Sequence, residues 1–319
     1  MSTPTAVRPP AVAPAEQGEL DRARRAFADA LIDAGLLVPA SAAGLYGRTG
    51  TFEDVVEGIS RVVRAAGPAD VPRYRFPPVL ALADFDRTDY LASFPHLAGA
   101  VHTFRGDDRD HAAMLSARAA GQPWDSWLTP ASTALVSAAC HPAYPMLTGQ
   151  LPTDGVLLDV QGYCFRHEPA VDPARMQAFR QHEFVRVGSP DQAAQHRDDW
   201  VQRGGEVLDD LGLSWSAVPA NDPFFGRAGR LLAAGQERDN LKTELVVRLY
   251  GDLDEGTAVV SCNCHRDHFG RAFDIRTPDG QPAHSACVGF GLERLALAMV
   301  RTHGVDPGRW PARIRERMR

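Results

Sequence analysis

The chain lacks the glycine-rich phosphate loop G-x-x-x-x-G-K-[ST] at every position. Any ATP chemistry must therefore be built from side chains on strands and helices. It also lacks an apolar run of membrane-spanning length. Met1 to Glu16 is rich in Pro, Ala and Thr but has no apolar stretch of the secretory kind, and it reads as a disordered lead-in. Cysteine is scarce and odd in number: Cys140, Cys164, Cys262, Cys264 and Cys287. An odd set without a secretory signal fits a reducing cytoplasm better than a disulfide framework. Basic charge is in deficit, with 34 Lys and Arg against 40 Asp and Glu, for a formal net charge of -6. That balance argues against non-specific nucleic-acid binding, which depends on neutralising phosphates, while leaving room for a local basic groove. Internal repeats and strong linkers are missing too. We expect a disordered segment over residues 1–18 and a single domain over residues 19–319, large enough to bury a sizeable core.

Helical spacing comes early and late in the chain. Leu20, Phe27 and Leu31 form one apolar stripe that Gly35 ends. Phe52, Val55, Val56, Ile59, Val62 and Val63 share a face over 51–66, with Thr51 and Asp54 resembling a capping box. Arg73 to Leu80 reads as a strand entering a proline-bent edge at Pro77 and Pro78. Residues 107–120 have the pattern of a polar-faced helix. Val156 to Val160 reads as a strand, Gln161-Gly162 as a turn, and the segment bearing Arg166 as a further strand. Residues 191–211 read as a helix interrupted or ended near Gly204-Gly205. Leu245 to Tyr250 and Thr257 to Ser261 form a hairpin around residues 251–256, and a last helix starts near Gly291. Strands clustered between early and late helices imply an α+β fold with a mainly antiparallel sheet.

On a strand, side chains two apart share a face. Arg166 and Glu168 then point together, as do Phe179, Gln181 and Glu183. A guanidinium can hold an α-phosphate and stabilise charge developing there. A carboxylate such as Glu168 can accept from an adenine amino group, and Phe179 offers a flat face to the base. Phe179 and Glu183 lie roughly 13 Å apart along a strand, about the span from an adenine ring to a group reacting near the α-phosphate. Arg294 lies on the last helix away from Leu292, Leu295, Ala296 and Met299, so it is either a surface arginine or a cation projecting toward a nucleotide. Arg175 and Met176 sit in the loop between the paired strands, as phosphate and adenine contacts or as a solvated arginine and a core methionine. Lys242 and Glu244 open a strand, as nucleotide or metal contacts or as a surface ion pair. Cys262-x-Cys264-His265-x-x-His268 is the densest run of metal-ligating types, although Cys264 and His265 would point oppositely on a continuing strand.

Together these residues resemble the catalytic core of class II aminoacyl-tRNA synthetases, most closely the seryl type. Phe165-Arg166-His167-Glu168 is similar to the start of that class's second motif, and Arg175, Met176, Phe179 and Glu183 to its return strand. Gly289, Gly291, Glu293 and Arg294 are similar to the third motif. Ser261-Cys262-Asn263 resembles a run carried by seryl enzymes, and residues 51–78 resemble the first motif, which builds the dimer interface. The resemblance spans roughly residues 45–305. No sustained heptads for a tRNA-binding coiled-coil arm precede this core. Within the class, Ser93-Phe94-Pro95-His96-Leu97-Ala98-Gly99 and His265-Arg266-Asp267-His268-Phe269-Gly270 resemble signatures of the bacterial amino acid:[carrier protein] ligases.

That resemblance implies an ATP-dependent, AMP-forming ligase. Such an enzyme activates a small amino acid, glycine or L-alanine, as aminoacyl-adenylate and passes it to the phosphopantetheine thiol of a carrier protein. It implies a homodimer with neither tRNA nor membrane as partner. Arg166 and Arg294 are the expected catalytic residues. Arg166, Glu168, Arg175, Met176, Phe179, Lys242, Glu244, Asn263 and Arg294 are the expected ATP contacts, with Mg2+ bridging the phosphates. The glutamate that seryl enzymes carry before the serine-cysteine run is replaced here by Ala258, Val259 and Val260, so Asn263 or Glu244 stands in as a Mg2+ ligand. By the same resemblance one Zn2+ per chain is held by Cys140, Glu183 and Cys287, with the substrate amino group in the fourth position. Aminoacylation of tRNA, and a synthetase-like protein that binds without catalysing, are the alternatives.

Overall fold

The structure, a computed structural model, describes residues 14–220 and 241–319. The expected lead-in over residues 1–13 lies outside the described residues. The first helix, α1, spans Pro14–Asp33. It begins ahead of the residue-19 boundary read from sequence. Helix α2 spans Gly50–Ala66 and buries Phe52, Val55, Val56, Ile59, Val62 and Val63, the predicted face. Each such side chain contributes about 1.5–3 kcal/mol when fully buried. The predicted capping box is not formed. The helix starts after Thr49, whose hydroxyl donates to Leu36 O at 3.2 Å instead of capping. The polar helix α3 spans Asp108–Ala119, with a capping box between Asp107 and Asp110. Helix α4 spans Pro190–Asp210, and α5 spans Leu292–His303.

The central sheet has seven strands. They are β1 (Arg73–Tyr74), β2 (Val156–Phe165), β3 (Ala178–Gly188), β4 (Ser216–Pro219), β5 (Lys242–Val247), β6 (Thr257–Arg266) and β7 (His284–Gly291). Their spatial order is β4-β5-β6-β7-β3-β2-β1. Every pairing is antiparallel except β1 with β2. The proline-bent edge is therefore two short strands: Pro77 and Pro78 end the run after β1, and Val79–Ala81 joins a separate small sheet. Among the described residues no helix is long and apolar enough to cross a membrane.

Alternation divides the sheet into two faces. Phe184, Val260, Cys262, Val288 and Phe290 face α2, α4 and α5, where they join one hydrophobic cluster. Val160, Cys164, Val185 and Cys287 face the other way, into a second cluster with Tyr144, Phe269 and Phe273. The functional residues stand on this second face. Two expectations built on glycine fail. Gly162 is not a turn but an interior residue of β2, paired with Gln181. Gly204 and Gly205 do not interrupt α4. A Cβ on Gly204 would come within 2.9 Å of Leu245, and one on Gly205 within 2.3 Å of Trp215. These glycines permit close approach instead of breaking an element.

Candidate active site

Strand β3 organises the site. Phe179, Gln181 and Glu183 project from one face, as their spacing predicted, and their neighbours on β7 are glycines: Gly289 opposite Glu183, Gly291 opposite Gln181. Gly162 lies opposite Gln181 on the other side. Three missing side chains leave a low floor between Phe179 and Glu183. A Cβ on Gly289 would meet Glu183 Cγ at 3.5 Å, and one on Gly162 would meet Ala139 at 3.8 Å.

Arg166 does not lie on a strand. β2 ends at Phe165, and the Arg166 N–H makes one further contact, donating to Gln177 O at 2.9 Å. The shared strand face assumed for Arg166 and Glu168 is thus incorrect, although both still reach the site. Arg166 Nε donates to Ser137 O at 3.2 Å, and its guanidinium carbon lies 5.4 Å from the Phe179 ring centroid. Glu168 pairs with Arg175 at 3.4 Å. Arg294 projects from the first turn of α5, where its Nε donates to Ala174 O at 2.9 Å and its Nη1 to Ala258 O at 3.1 Å. Burial lowers its pKa first, and the charge of Arg166 lowers it further; Glu168, Arg175 and Glu244 also act on it electrostatically. Arg166 thus stands beside Phe179 and within electrostatic reach of Arg294, as do Glu168, Arg175 and Glu244.

Met176 buries its side chain in the helix-side core, leaving only its backbone for a ligand. Lys242, the single lysine of the chain, pairs with Glu244 at 2.9 Å along β5. Asn263 stands between them and the sulfur site. It is registered against Lys242 on one side and Cys287 on the other, and its amide nitrogen lies 3.7 Å from Cys287 Sγ.

At the far end of the glycine floor are Cys140, Glu183 and Cys287. All three are buried, and one potential ligand atom of each lies within 4.8 Å of the others. They come from three segments: the turn after the small sheet, β3 and β7. Among the described residues this is the group arranged to hold a metal ion. The contiguous run beginning at Cys262 is dispersed by strand alternation, since Cys262 lies in the helix-side core. Glu183 Oε1 accepts from Ala139 N at 3.0 Å, whereas Oε2 is buried without a hydrogen-bond partner. Burial, then the charge of Cys287, pushes Glu183 up to about 8. A hydrogen bond from Cys140, aided by His265, holds Cys287 well below the usual thiol range. That bond to Cys287, followed by burial, raises Cys140. Two thiols and a carboxylate with an orphaned oxygen suit Zn2+, whose ligands are thiolate, imidazole and carboxylate. The residues present fit such an ion.

His265 was not expected here. Its Nε2 lies 3.7 Å from Cys287 Sγ and its Nδ1 lies 3.1 Å from Ser285 Oγ. The bulge between Cys264 and Arg266 breaks the regular alternation at this point. Sequence spacing could place His265 opposite to Cys264 but could not bring it to Cys287.

No family model matches the chain. Among curated proteins it is 41% identical over 275 residues to amino acid–[acyl-carrier-protein] ligase 1 of Bradyrhizobium diazoefficiens, covering 86% of this chain and 84% of that one. It is 43% identical to ligase 2 of the same organism, covering 86% and 82%. Type-2 serine–tRNA ligase of Methanopyrus kandleri is 28% identical over 58% of this chain and 37% of its own length. Among solved structures, M. kandleri seryl-tRNA synthetase in complex with A. aeolicus tRNASec has a TM-score of 0.75 at 21% identity, covering 99% of this chain and 62% of that one. Seryl-tRNA synthetase of Pyrococcus horikoshii, complexed with ATP, has a TM-score of 0.61 at 14% identity, covering 87% and 58%. The structural likeness establishes a class II synthetase fold, α+β with flanking helices. With the two ligases at this identity and coverage, the chain belongs to the amino acid–[acyl-carrier-protein] ligases, an enzyme family built on that fold.

Proposed function

We propose that the enzyme activates glycine or L-alanine with ATP and transfers it to the phosphopantetheine thiol of a carrier protein. The observation that carries this reading is the orphaned carboxylate oxygen of Glu183, buried beside two cysteines midway along β3, while Phe179, with Arg166 over it, stands near the strand's start. A base platform and an amine-binding site thereby share one face of β3, with a phosphate cation from the turn after β2 beside the platform.

Adenine stacks on Phe179, and Arg166 exchanges its contact with that ring for the α-phosphate. Glu168 accepts from the adenine amino group, and Arg175 and Lys242 contribute charge to the phosphates. Arg294, its guanidinium plane fixed by the carbonyls of Ala174 and Ala258, holds the γ-phosphate. Glu244 or Asn263 would ligate the Mg2+ that accompanies ATP. Cys140, Glu183 and Cys287 would hold Zn2+, which would supply a Lewis acid for the substrate amine. The amino acid's carboxylate oxygen attacks the α-phosphorus and pyrophosphate leaves. The carrier's thiolate then attacks the carbonyl carbon and AMP leaves, giving the thioester. No protein nucleophile is required, because positioning and the activated anhydride supply the driving force. The chain acts as a homodimer through α2 and the short edge strand β1.

The test is ATP–pyrophosphate exchange with single amino acids, followed by challenge of the adenylate with holo-carrier protein or bulk tRNA. Glycine- or alanine-dependent exchange with label on the carrier is expected. Label on tRNA alone would reassign the acceptor, and absence of exchange with every amino acid would leave a binding protein.

A further inference from the structure

The loop between β2 and β3 carries Arg175 and Met176, and one buried carboxylate ties it down. Asp172 is 5% exposed although it lies in a loop. Its Oδ1 accepts from the Tyr250 hydroxyl at 2.6 Å and from Ala174 N at 2.9 Å. Its Oδ2 lies 3.2 Å from Arg24 Nε, an ion pair by charge and proximity, since that N–H is not aimed at the oxygen. Arg24 comes from the middle of α1, where its Nη1 donates to Asp21 at 3.0 Å and its guanidinium carbon lies 5.9 Å from the Tyr250 ring centroid. Phe27, one turn further along α1, meets the same ring edge-on at 6.2 Å. Three segments distant in sequence, α1, the loop and the residues after β5, thus converge on one side chain.

The turn made by Asp172 aims the loop at the site. Its side chain accepts from Ala174 N, and its carbonyl accepts from Arg175 N at 3.0 Å. The Ala174 carbonyl is thereby directed to Arg294, whose Nε donates to it at 2.9 Å. Downstream, Gln177 N donates to Gly44 O at 2.9 Å and its side-chain amide to Ala43 O at 2.7 Å, so the loop's exit is fixed independently of Asp172. Between the two anchors stands Arg175, half-exposed and paired with Glu168 at 3.4 Å.

We propose that Asp172 is a positioning residue for ATP: braced by Arg24 of α1 and by Tyr250, it sets Arg175 and Arg294 for the phosphates. This rests on the reading of the site given above. Asp172 touches no substrate. It acts through the Ala174 carbonyl, which holds the Arg294 guanidinium, and through its own carbonyl, which holds the backbone of Arg175. Helix α1 thereby bears on nucleotide binding from outside the site. Loss of the brace loosens phosphate contacts made alike in the ground state and the transition state, so KM for ATP rises more than kcat falls. The amino-acid site at Cys140, Glu183 and Cys287 shares none of these contacts and is spared.

Graded substitutions test the brace. Asp172→Ala removes it. Asp172→Asn keeps an oxygen for Ala174 N–H and the Tyr250 hydroxyl but removes the charge facing Arg24. Tyr250→Phe deletes one hydroxyl and Arg24→Gln the α1 cation; neither alters the loop itself, so both decide the matter if Asp172→Ala does not fold. ATP–pyrophosphate exchange would be measured with ATP and the amino acid varied in turn, together with zinc content and the unfolding midpoint. We expect Asp172→Ala to raise KM for ATP roughly 10–100-fold, the equivalent of losing a hydrogen bond to a charged group. The other three should raise it less, with Asp172→Asn a partial rescue. KM for the amino acid and zinc content should stay at wild-type values in all four. A lower unfolding midpoint with unchanged KM for ATP would overturn the proposal in favour of a structural brace. Equal rises in both KM values would overturn it in favour of a general loosening of the cleft. If the wild-type enzyme itself shows no amino-acid-dependent exchange, it is the reading of the site that fails; if it does, and every variant keeps the wild-type KM for ATP, that reading stands and the proposal falls.

Discussion

Two glutamates are buried almost completely, Glu183 at 2% exposure and Glu293 at 1%, and they lie on opposite faces of the sheet. Glu293 is satisfied on both oxygens. Oε2 accepts from Arg180 N at 2.6 Å, while Oε1 accepts from Arg180 Nε at 2.7 Å and Arg48 Nη1 at 3.0 Å. Arg180 extends the network to Glu53 at 2.6 and 2.9 Å. Glu183, three residues along the same strand from Arg180, has one backbone donor and an oxygen with none. A buried charge that is fully paired holds α2, β3 and α5 together. A buried carboxylate left half-satisfied is costly unless something absent from the chain completes it. The helix-covered face is finished by the protein itself; the cleft face is finished by what it binds.

Substitution by glutamine should separate the two. Glu293→Gln removes the buried one of two counter-charges that Arg180 and Arg48 share, leaving the half-exposed Glu53, so the loss should fall at or below the lower end of the roughly 3–5 kcal/mol typical of a broken buried pair. Denaturant unfolding should show that loss, with zinc retained by the folded fraction. In metal-free protein Glu183→Gln should change stability by less than about 1 kcal/mol, since the carboxyl is already driven toward its neutral form there. Its zinc content should instead fall from one per chain to near zero, and exchange activity with it. Equal destabilisation by both substitutions would erase the distinction between the faces.

The distinction was partly legible in the sequence. Period-2 spacing put Phe179, Gln181 and Glu183 on one face, and the helical stripe of α2 was correctly read. These features depend on neighbours close in the chain. What failed depends on neighbours distant in it. Gly162, Gly204 and Gly205 have the local look of breakers, yet Gly162 is held inside β2 by its pairing with Gln181, and Gly204 and Gly205 lie inside α4 where Leu245 and Trp215 come close. Arg166 was placed on a strand because its flanking residues suit one. The strand ends a residue earlier, where Phe165 N donates to Val136 O at 2.7 Å and leaves Arg166 to turn toward Phe179. The network around Glu293 joins residues 48, 53, 180 and 293, which no spacing rule connects. The expectation that Asn263 contacts the nucleotide said nothing of its sulfur neighbour. The register of β6 against β7 sets it beside Cys287, and register is not read from one strand alone.

That placement sharpens the comparison further. Asn263 and His265 both approach Cys287 Sγ at 3.7 Å, and His265 is in turn oriented by Ser285. Groups that orient a metal ligand typically change affinity by 10–100-fold when removed. Asn263→Ala and His265→Ala should therefore release zinc to a competing chelator at about 10–100-fold lower chelator concentration than wild type, with little change in unfolding midpoint for the metal-free protein. His265→Ala should show the larger effect, because it also frees Ser285. Unchanged chelator competition in both variants would confine the metal site to its three ligands.

The last comparison tests the finished face. His196 on α4 is buried, and its Nε2 lies 3.0 Å from Phe184 O, the backbone of the strand that carries Glu183. Burial lowers its pKa from 6.5 to about 4 despite that bond. The folded protein thus keeps a neutral imidazole while the unfolded chain takes up a proton below about 6.5. Stability is unaffected by this group above that pH, declines as pH falls from about 6.5 to 4, and the decline is complete below the folded pKa; it amounts to about 3 kcal/mol at most. Asp159 acts in a separate window. Burial raises it, but His182 and Arg64 outweigh burial and hold it at about 2, so its contribution is lost only as pH falls from about 3.8 toward 2. His196→Gln keeps an N–H for Phe184 O and removes the titration. Unfolding measured at pH 7 and pH 5 should show a smaller difference in this variant than in wild type. An equal difference would assign the acid sensitivity between those values to the other deeply buried imidazole, His141, which burial lowers from 6.5 to about 3; Glu183, raised by burial, acts with the opposite sign.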